Sequence, residues 1–291
     1  MKIALGSAQF GLKYGITGGA EQTSFEDAEK IIRYAESVGI NTIDTAPAYG
    51  NSEEVIGDIL QKNHQFNITT KIPPINHQEI SLRDVKSVEL IVQNSLRKLN
   101  CEKIEGVLFH QAADVLKRNG EMLYEKLVEL KSLGWINKIG FSIYESSQID
   151  QLCQTFSFDL IQLPINVFDQ RLLQSGHLKK LKKAGIEVYA RSIFLQGLLL
   201  SDQNAIPSKL DGIANQLVAY QQFLQRNGML RIDGALDFMK QIKEIDYLVV
   251  GVNDVKQLIE IKQSFDKPSQ AAHDYTHFAI DDIDLIDPRR W

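Results

Sequence analysis

The sequence predicts a single-domain (β/α)8 barrel, an α/β fold of the TIM-barrel type, over residues 1–291. Two observations carry this reading. Eight short, apolar, β-branched segments recur along the chain, and helical periodicity fills the stretches between them, which is the pattern of a parallel sheet buried on both faces. The first βα turn, GSAQFG, lacks the GxGxxG spacing that would favour the competing architecture, an open doubly wound sheet. A length of 291 residues suits one such barrel, since these run to ~250 residues or more.

The expected strands are residues 2–7 (KIALGS), 42–45 (TIDT), 67–72 (NITTKI), 106–110 (GVLFH), 138–142 (KIGFS), 160–164 (LIQLP), 187–192 (EVYARS) and 247–252 (YLVVGV). The first helix, 24–38, opens on Ser24 with Asp27 three residues on, a variant of the capping box, and stops at Gly39. Helices at 52–60 and 82–99 follow. Residues 121–133 place Leu123, Leu127 and Leu130 on one face and end at Gly134. Helices at 146–156, 176–184 and 255–265 complete the alternation, with additional helix at 210–226 and 231–242. The tail, about 266–291, is expected to fold back near the pocket with Trp291 filling a groove.

Composition excludes several function classes. Apolar residues make up 44% and charged residues 24%, so the chain is neither disordered nor fibrous. No apolar run approaches the ~20 residues of a membrane span, and the opening apolar run is too short for a signal peptide. The net charge of −5 gives no basic footprint for nucleic acid. Two cysteines, Cys101 and Cys153, form no CxxC pair, so the expectation is a reduced, cytoplasmic protein with neither a disulfide framework nor a zinc motif. No metal site is expected. His273 and His277 in HDYTH lack the HExxH frame and read as tail packing, and Asp281, Asp282 and Asp284 lack the glycine and terminal Glu of a calcium loop.

In a barrel the chemistry sits at the C-terminal ends of the strands. The polar residues there are Asp44 with nearby Tyr49, Lys71, His110, Ser142, Gln162, Arg191 with Ser192, and Asn253. Four of them form a proton-transfer set. A tyrosine hydroxyl is a poor acid at neutral pH, and a neighbouring ammonium favours its phenolate. A buried lysine keeps its proton when a carboxylate pairs with it, and Asp44 is placed to pair with Lys71. A histidine orients or polarises the substrate oxygen. Together they make a general acid for an oxygen becoming an alkoxide, as in carbonyl reduction. Each residue alone has a structural reading: a turn aspartate, a packing tyrosine, a solvated lysine, a core histidine. Their joint occurrence at the ends of three successive strands favours the chemistry.

With these residues in place, the sequence resembles the aldo-keto reductase superfamily. TIDTAPAYGNSEEVIG resembles the family's signature around its catalytic Asp and Tyr, TTKIP its Lys strand and VLFHQ its His strand. KIGFS, DLIQLPIN, YARSIFLQGLL and YLVVGVNDVKQL follow in the family's order, so the resemblance runs from Leu5 to about Phe265. The opening LGSAQFGLKYGI and the run RSIFLQGLL are similar to a bacterial branch found with polysaccharide or sugar-nucleotide biosynthesis genes. The resemblance implies NAD(P)H-dependent reduction of an aldehyde or ketone, including sugar derivatives, with a small-molecule substrate and no nucleic-acid or membrane partner. It implies Tyr49 as proton donor, Lys71 and Asp44 as the groups that tune it, and His110 as the group orienting the carbonyl. It places Ser142 and Gln162 on the nicotinamide carboxamide and Ser192 near the pyrophosphate. It sets Arg191 where relatives stack an aromatic ring on the nicotinamide, and Gly251, Asn253 and Gln257 at the adenosine phosphate, where a helix N-terminus favours an anion.

The chain departs from the family at Ile143, where Asn often follows the strand-five Ser, and at Gln257, where an Arg often grips the 2′-phosphate. NADP(H) is the family's habit and NAD(H) the alternative, since Gln257 is neutral and Lys256 is the nearest cation. Two other functions compete: a nicotinamide-nucleotide-binding regulatory protein with little turnover, and a barrel lyase or epimerase using Lys71 as a Schiff base. The complete tetrad favours the reductase over the first, and the second lacks a phosphate-gripping glycine loop. Substrate walls are expected from loops at 10–16 and 75–80, from Tyr144 onward and from the tail.

Overall fold

The computed structural model describes residues 1–15, 21–61, 64–202, 206, 208–268 and 273–291. Eight parallel strands close into a barrel in chain order. They are β1 (Lys2–Gly6), β2 (Thr42–Asp44), β3 (Asn67–Ile72), β4 (Ile104–Phe109), β5 (Ile136–Ser142), β6 (Leu160–Pro164), β7 (Glu187–Arg191) and β8 (Tyr247–Gly251). The predicted barrel and each predicted strand are present. β4 and β5 start two residues earlier than their apolar runs suggest, because Glu105 and Asn137 pair across the two strands and Lys138 bridges Glu105 and Glu187.

The helices are α1 (Ala8–Gly11), α2 (Phe25–Ser37), α3 (Ser52–Leu60), α4 (Leu82–Lys98), α5 (Glu121–Ser132), α6 (Ser147–Thr155), α7 (Arg171–Gln174), α8 (His177–Lys183), α9 (Ala214–Arg226), α10 (Arg231–Lys240), α11 (Val255–Asp266) and α12 (Ile283–Ile286). Ser24 caps α2 by accepting from the Asp27 amide, and α4 carries a full capping box between Ser81 and Asp84. Leu123, Leu127 and Leu130 are buried along α5. Two helices differ from expectation. The stretch at 176–184 begins only at His177 because Gly176 sits at φ 72°, the left-handed region, and breaks α7 from α8. Residues 210–213 belong to a 3-10 turn ahead of α9, where Leu210 leaves helical geometry.

Alternation along the strands decides what the barrel presents. Ala4, Leu108, Leu160 and Tyr189 form one small buried cluster, while their neighbours Ile3, Leu5, Val107, Phe109, Val188 and Ala190 join the larger core beneath the helices. The first set fills the barrel and the second packs outward. Counting on by two from the inner set arrives at His110, Gln162 and Arg191. Register extends this around the rim: Gly6 pairs with Asp44 and with Gly251, Lys71 with Leu108, and Ser142 with Gln162. The inward parity that fills the barrel with apolar groups at its base thus delivers polar groups at its mouth.

Candidate active site

At the mouth, Asp44 and Lys71 form an ion pair of 2.7 Å with 3% and 1% of their surfaces exposed. The second Asp44 oxygen accepts from Thr69 Oγ1 at 3.1 Å and from Gln162 Nε2 at 2.8 Å. Lys71 Nζ also donates to the Thr45 carbonyl at 2.9 Å. Both charges are therefore taken up by fixed partners, which a buried ion pair requires. Gln162 thus braces Asp44 across the barrel, a contact the chain order conceals.

The loop between β2 and α3 carries Tyr49 over this pair. Lys71 Nζ lies 4.9 Å from the Tyr49 ring centre, and the His110 ring stands edge-on to the same ring at 6.0 Å. Main-chain contact fixes the loop. A Cβ at Gly11 would lie 1.7 Å from the Tyr49 carbonyl oxygen, and one at Gly50, where φ is 60°, would lie 2.3 Å from the Gly11 oxygen. Ser52, buried at the start of α3, closes the loop with its hydroxyl 2.9 Å from the Ser7 carbonyl and 3.1 Å from Thr45 Oγ1.

Burial raises the Tyr49 hydroxyl above the ordinary phenol range, with Asp44 adding to the shift and Arg191 opposing it. This corrects the expectation that Lys71 lowers it in the resting protein, because the ammonium is taken up by Asp44 and burial dominates. Burial also pulls Lys71 below its usual value, against the attraction of Asp44. His110 is held down to about 4, first by burial and then by the Lys71 charge, so its ring is neutral at pH 7. The unfolded chain protonates near the reference value of ~6.5, so between that pH and about 4 it binds more protons than the folded state. Stability is therefore lost as pH falls through this window. Urea melts at pH 7 and pH 5 should show a smaller acid loss for His110→Gln than for the wild type.

A cleft of about 430 Å³ opens from this cluster, within the range of ligand sites. Asp44, Tyr49, His110, Gln162, Arg191, Ser192, Gly251, Asn253 and Gln257 all line it. Lys71 lies behind Tyr49 and does not. Ser142 lines a smaller cavity next to it, which shares His110 and Tyr144 with the cleft. Arg191 lays its guanidinium 3.8 Å from the Tyr144 ring centre and donates to the Ile143 carbonyl at 3.0 Å, while its Nε is buried without a partner among the described residues. Ser192 follows at φ 58°. Tyr14 and Gln196 line the cleft from facing loops, 3.5 Å apart. Ile16 of the expected wall loop lies outside the described residues, as do 269–272 of the tail.

At the α11 N-terminus one first-turn amide is already engaged. Asp254 Oδ1 accepts from the Gln257 amide at 3.0 Å, and Gln257 Oε1 accepts from the Asn253 amide at 2.9 Å. Of the N–H groups expected to face an anion there, the Gln257 amide is taken by this cap. Glu260 and Gln9 also line this part of the cleft, and the Gln9 side chain packs so close to Gly251 that a Cβ there would sit 2.5 Å from it. Gln9 and Glu260 belong to no motif in the sequence, and the fold alone brings them to the cleft.

The tail pair of HDYTH is engaged in packing. His273 Nδ1 lies 3.0 Å from Asp237, and the His277 ring centre lies 3.9 Å from that of Phe278. Trp291 Nε1 donates to the Asp284 carbonyl at 3.1 Å.

A sequence model of the aldo/keto reductase family matches residues 2–278. The chain belongs to the aldo/keto reductase family. It is 31% identical over 182 residues to the aldo-keto reductase YhdN of Bacillus subtilis, covering 60% of this chain and 53% of that protein. It is 28% identical over 224 residues to the NADH-specific methylglyoxal reductase of Escherichia coli, covering 71% and 66%. It is 30% identical over 208 residues to the D-arabinose 1-dehydrogenase of Saccharomyces cerevisiae, covering 63% and 60%. The alignments span between about half and two thirds of these relatives' lengths. Among solved structures, an aldo-keto reductase from Bacillus halodurans in its holo form superposes with a TM-score of 0.76 at 18% identity, over 95% of this chain and 90% of that one. That likeness places the reductase barrel in the same fold.

Proposed function

We propose that this aldo/keto reductase reduces the carbonyl of a small molecule to an alcohol, using a reduced nicotinamide nucleotide. The observation that carries the reading is the Tyr49 ring set between the Asp44–Lys71 pair and His110, with Asp44, Tyr49 and His110 lining the cleft. The residues present suit a dinucleotide: a cleft lined from Tyr49 and His110 to Asn253 and Gln257, a buried Arg191 Nε without a partner among the described residues, and a buried Asn253 Oδ1 likewise without one. Gln162, Arg191 and Ser192 would hold its central and nicotinamide parts, with Ser142 beside them, and Gly251, Asn253 and Gln257 its adenosine end. A bound reduced nucleotide supplies the hydride that adds to the carbonyl carbon.

The protein's own part is proton transfer. Tyr49 stays protonated because burial disfavours its phenolate, so the acid is in hand at any physiological pH. As negative charge grows on the carbonyl oxygen, that oxygen becomes the stronger base and takes the Tyr49 proton. Lys71, whose Nζ lies 4.9 Å from the ring centre, then favours the phenolate, while Asp44 keeps the ammonium charged and fixed. His110, neutral, offers a ring N–H to the same oxygen without a competing acidic proton.

Two relatives are named for methylglyoxal reduction and D-arabinose dehydrogenation, which supports small carbonyls and sugars as the substrate range. The test is consumption of NADH or NADPH with methylglyoxal and with a simple sugar aldehyde. Turnover supports the reductase, and tight nucleotide binding without turnover would favour a regulatory role.

The cofactor reading follows from charge. With the nicotinamide at Tyr49 and His110, the adenosine ribose lies towards Asn253, Gln257 and Glu260. Among the described residues lining the cleft, Arg191 is the one cation. Asn253 Oδ1 and the Glu260 carboxylate accept hydrogen bonds, which suits ribose hydroxyls and opposes a 2′-phosphate. NADH is therefore expected to bind at least as tightly as NADPH. Fluorescence titration with both at moderate salt checks this, and Glu260→Arg should shift the ratio about tenfold towards NADPH.

A further inference from the structure

The smaller cavity beside His110 has a volume of about 180 Å³, and the tail supplies one of its walls through Arg289. Its other walls include Ser142, Tyr144, Gln148 and Gln111. His110 and Tyr144 face both this cavity and the main cleft, so the cavity gives a carbonyl compound lying against His110 and Tyr49 a path towards Arg289. A space of that size suits a short substrate.

Arg289 is built into place. It sits on the C-terminal 3-10 turn Pro288–Arg290. Its Nε and Nη2 both donate to the Asp287 carboxylate, whose side chain is 1% exposed. Its guanidinium carbon lies 3.3 Å from the Tyr144 ring centre. Nη1 makes no hydrogen bond among the described residues. The Arg191 guanidinium rests on the same tyrosine ring and has no carboxylate partner among the described residues. Of the neighbouring charges, Arg171 is matched by Asp169, and Glu145 is an exposed side chain. Two guanidinium groups thus rest on one tyrosine ring, the single buried carboxylate Asp287 is bound by Arg289, and donor atoms are left over. A planar guanidinium held in a fixed orientation recognises a carboxylate or a phosphate through paired, charge-assisted hydrogen bonds.

We propose that Arg289 selects short carbonyl substrates that carry an anionic group, carboxylate or phosphate, and holds that group while the carbonyl meets His110 and Tyr49. The proposal rests on the reductase reading and names the substrate class of that site.

The test compares charged and neutral aldehydes: succinic semialdehyde with butanal, and glyceraldehyde 3-phosphate with glyceraldehyde. Arg289→Gln should raise KM for the anionic members at least about tenfold, the scale of one charge-assisted hydrogen bond, and leave the neutral members within about twofold. Arg289→Lys keeps a cation beside Asp287, and with it the docking of the tail, but loses the fork, so it should show a smaller loss of the same kind. The anionic aldehyde with the larger loss identifies carboxylate or phosphate as the preferred group. If neutral and anionic substrates weaken together, Arg289 only fastens the tail and the proposal is overturned. Calorimetric titration of the full chain with succinate and with inorganic phosphate gives a second readout. Should the wild type turn over none of these aldehydes, the reductase reading fails, and the titration still decides on the anion site. Weaker binding in Arg289→Gln supports it, and unchanged binding overturns it.

Discussion

Replacing Tyr49 with Phe should lower carbonyl reduction by ~10²–10⁴-fold, the usual contribution of a positioned general acid, and leave nucleotide affinity unchanged. The ring is needed for packing between Lys71 and His110, and Phe keeps it. Only the hydroxyl is lost, and burial holds that hydroxyl in its protonated, donating form. Steady-state rates with methylglyoxal, set beside fluorescence titration with NADH, separate the two effects. Wild-type turnover in Tyr49→Phe would remove the residue from the proton-donor role.

Lys71→Met should remove turnover and also weaken the fold. Asp44 would be left as an uncompensated buried charge, a defect that costs ~3–5 kcal/mol when one partner of such a pair is removed. Thr69 and Gln162 still donate to Asp44, so the loss belongs at the lower end of that range. Urea denaturation followed by circular dichroism measures it. The double variant Lys71→Met, Asp44→Asn should recover much of the stability, since the stranded charge goes with it, and recover none of the activity. A stable and active Lys71→Met would contradict both the ion pair and its role beside Tyr49.

The barrel and the rim residues were legible because two periodicities, helical and strand, repeat eight times and put every second strand residue inside. Asp44, Lys71, His110, Gln162 and Arg191 follow from parity once the strand ends are known. What escaped the sequence depends on contacts between distant segments. Gln162 bracing Asp44 joins β6 to β2 across the mouth, and Arg289 reaches Tyr144 from the far end of the chain. Neither has a local pattern. The direction of the Tyr49 shift is hidden for a related reason: charge proximity follows from strand order, whereas burial depends on how the loops close over the site.

The contact between Gly11 and Gly50 bears on how mutation can reshape this enzyme. At these two glycines the tyrosine loop is seated by main chain against main chain, where a carbonyl oxygen cannot be trimmed or repacked. Libraries that vary Tyr144, Gln148 or Arg289 alter what enters the smaller cavity while the tyrosine loop keeps its seat. Changes at residues 11 and 50 behave differently, although neither glycine carries any chemistry. Even alanine drives its Cβ into a carbonyl oxygen, so in a deep mutational scan both positions should be as intolerant as Tyr49 itself, and no pocket mutation elsewhere should rescue them.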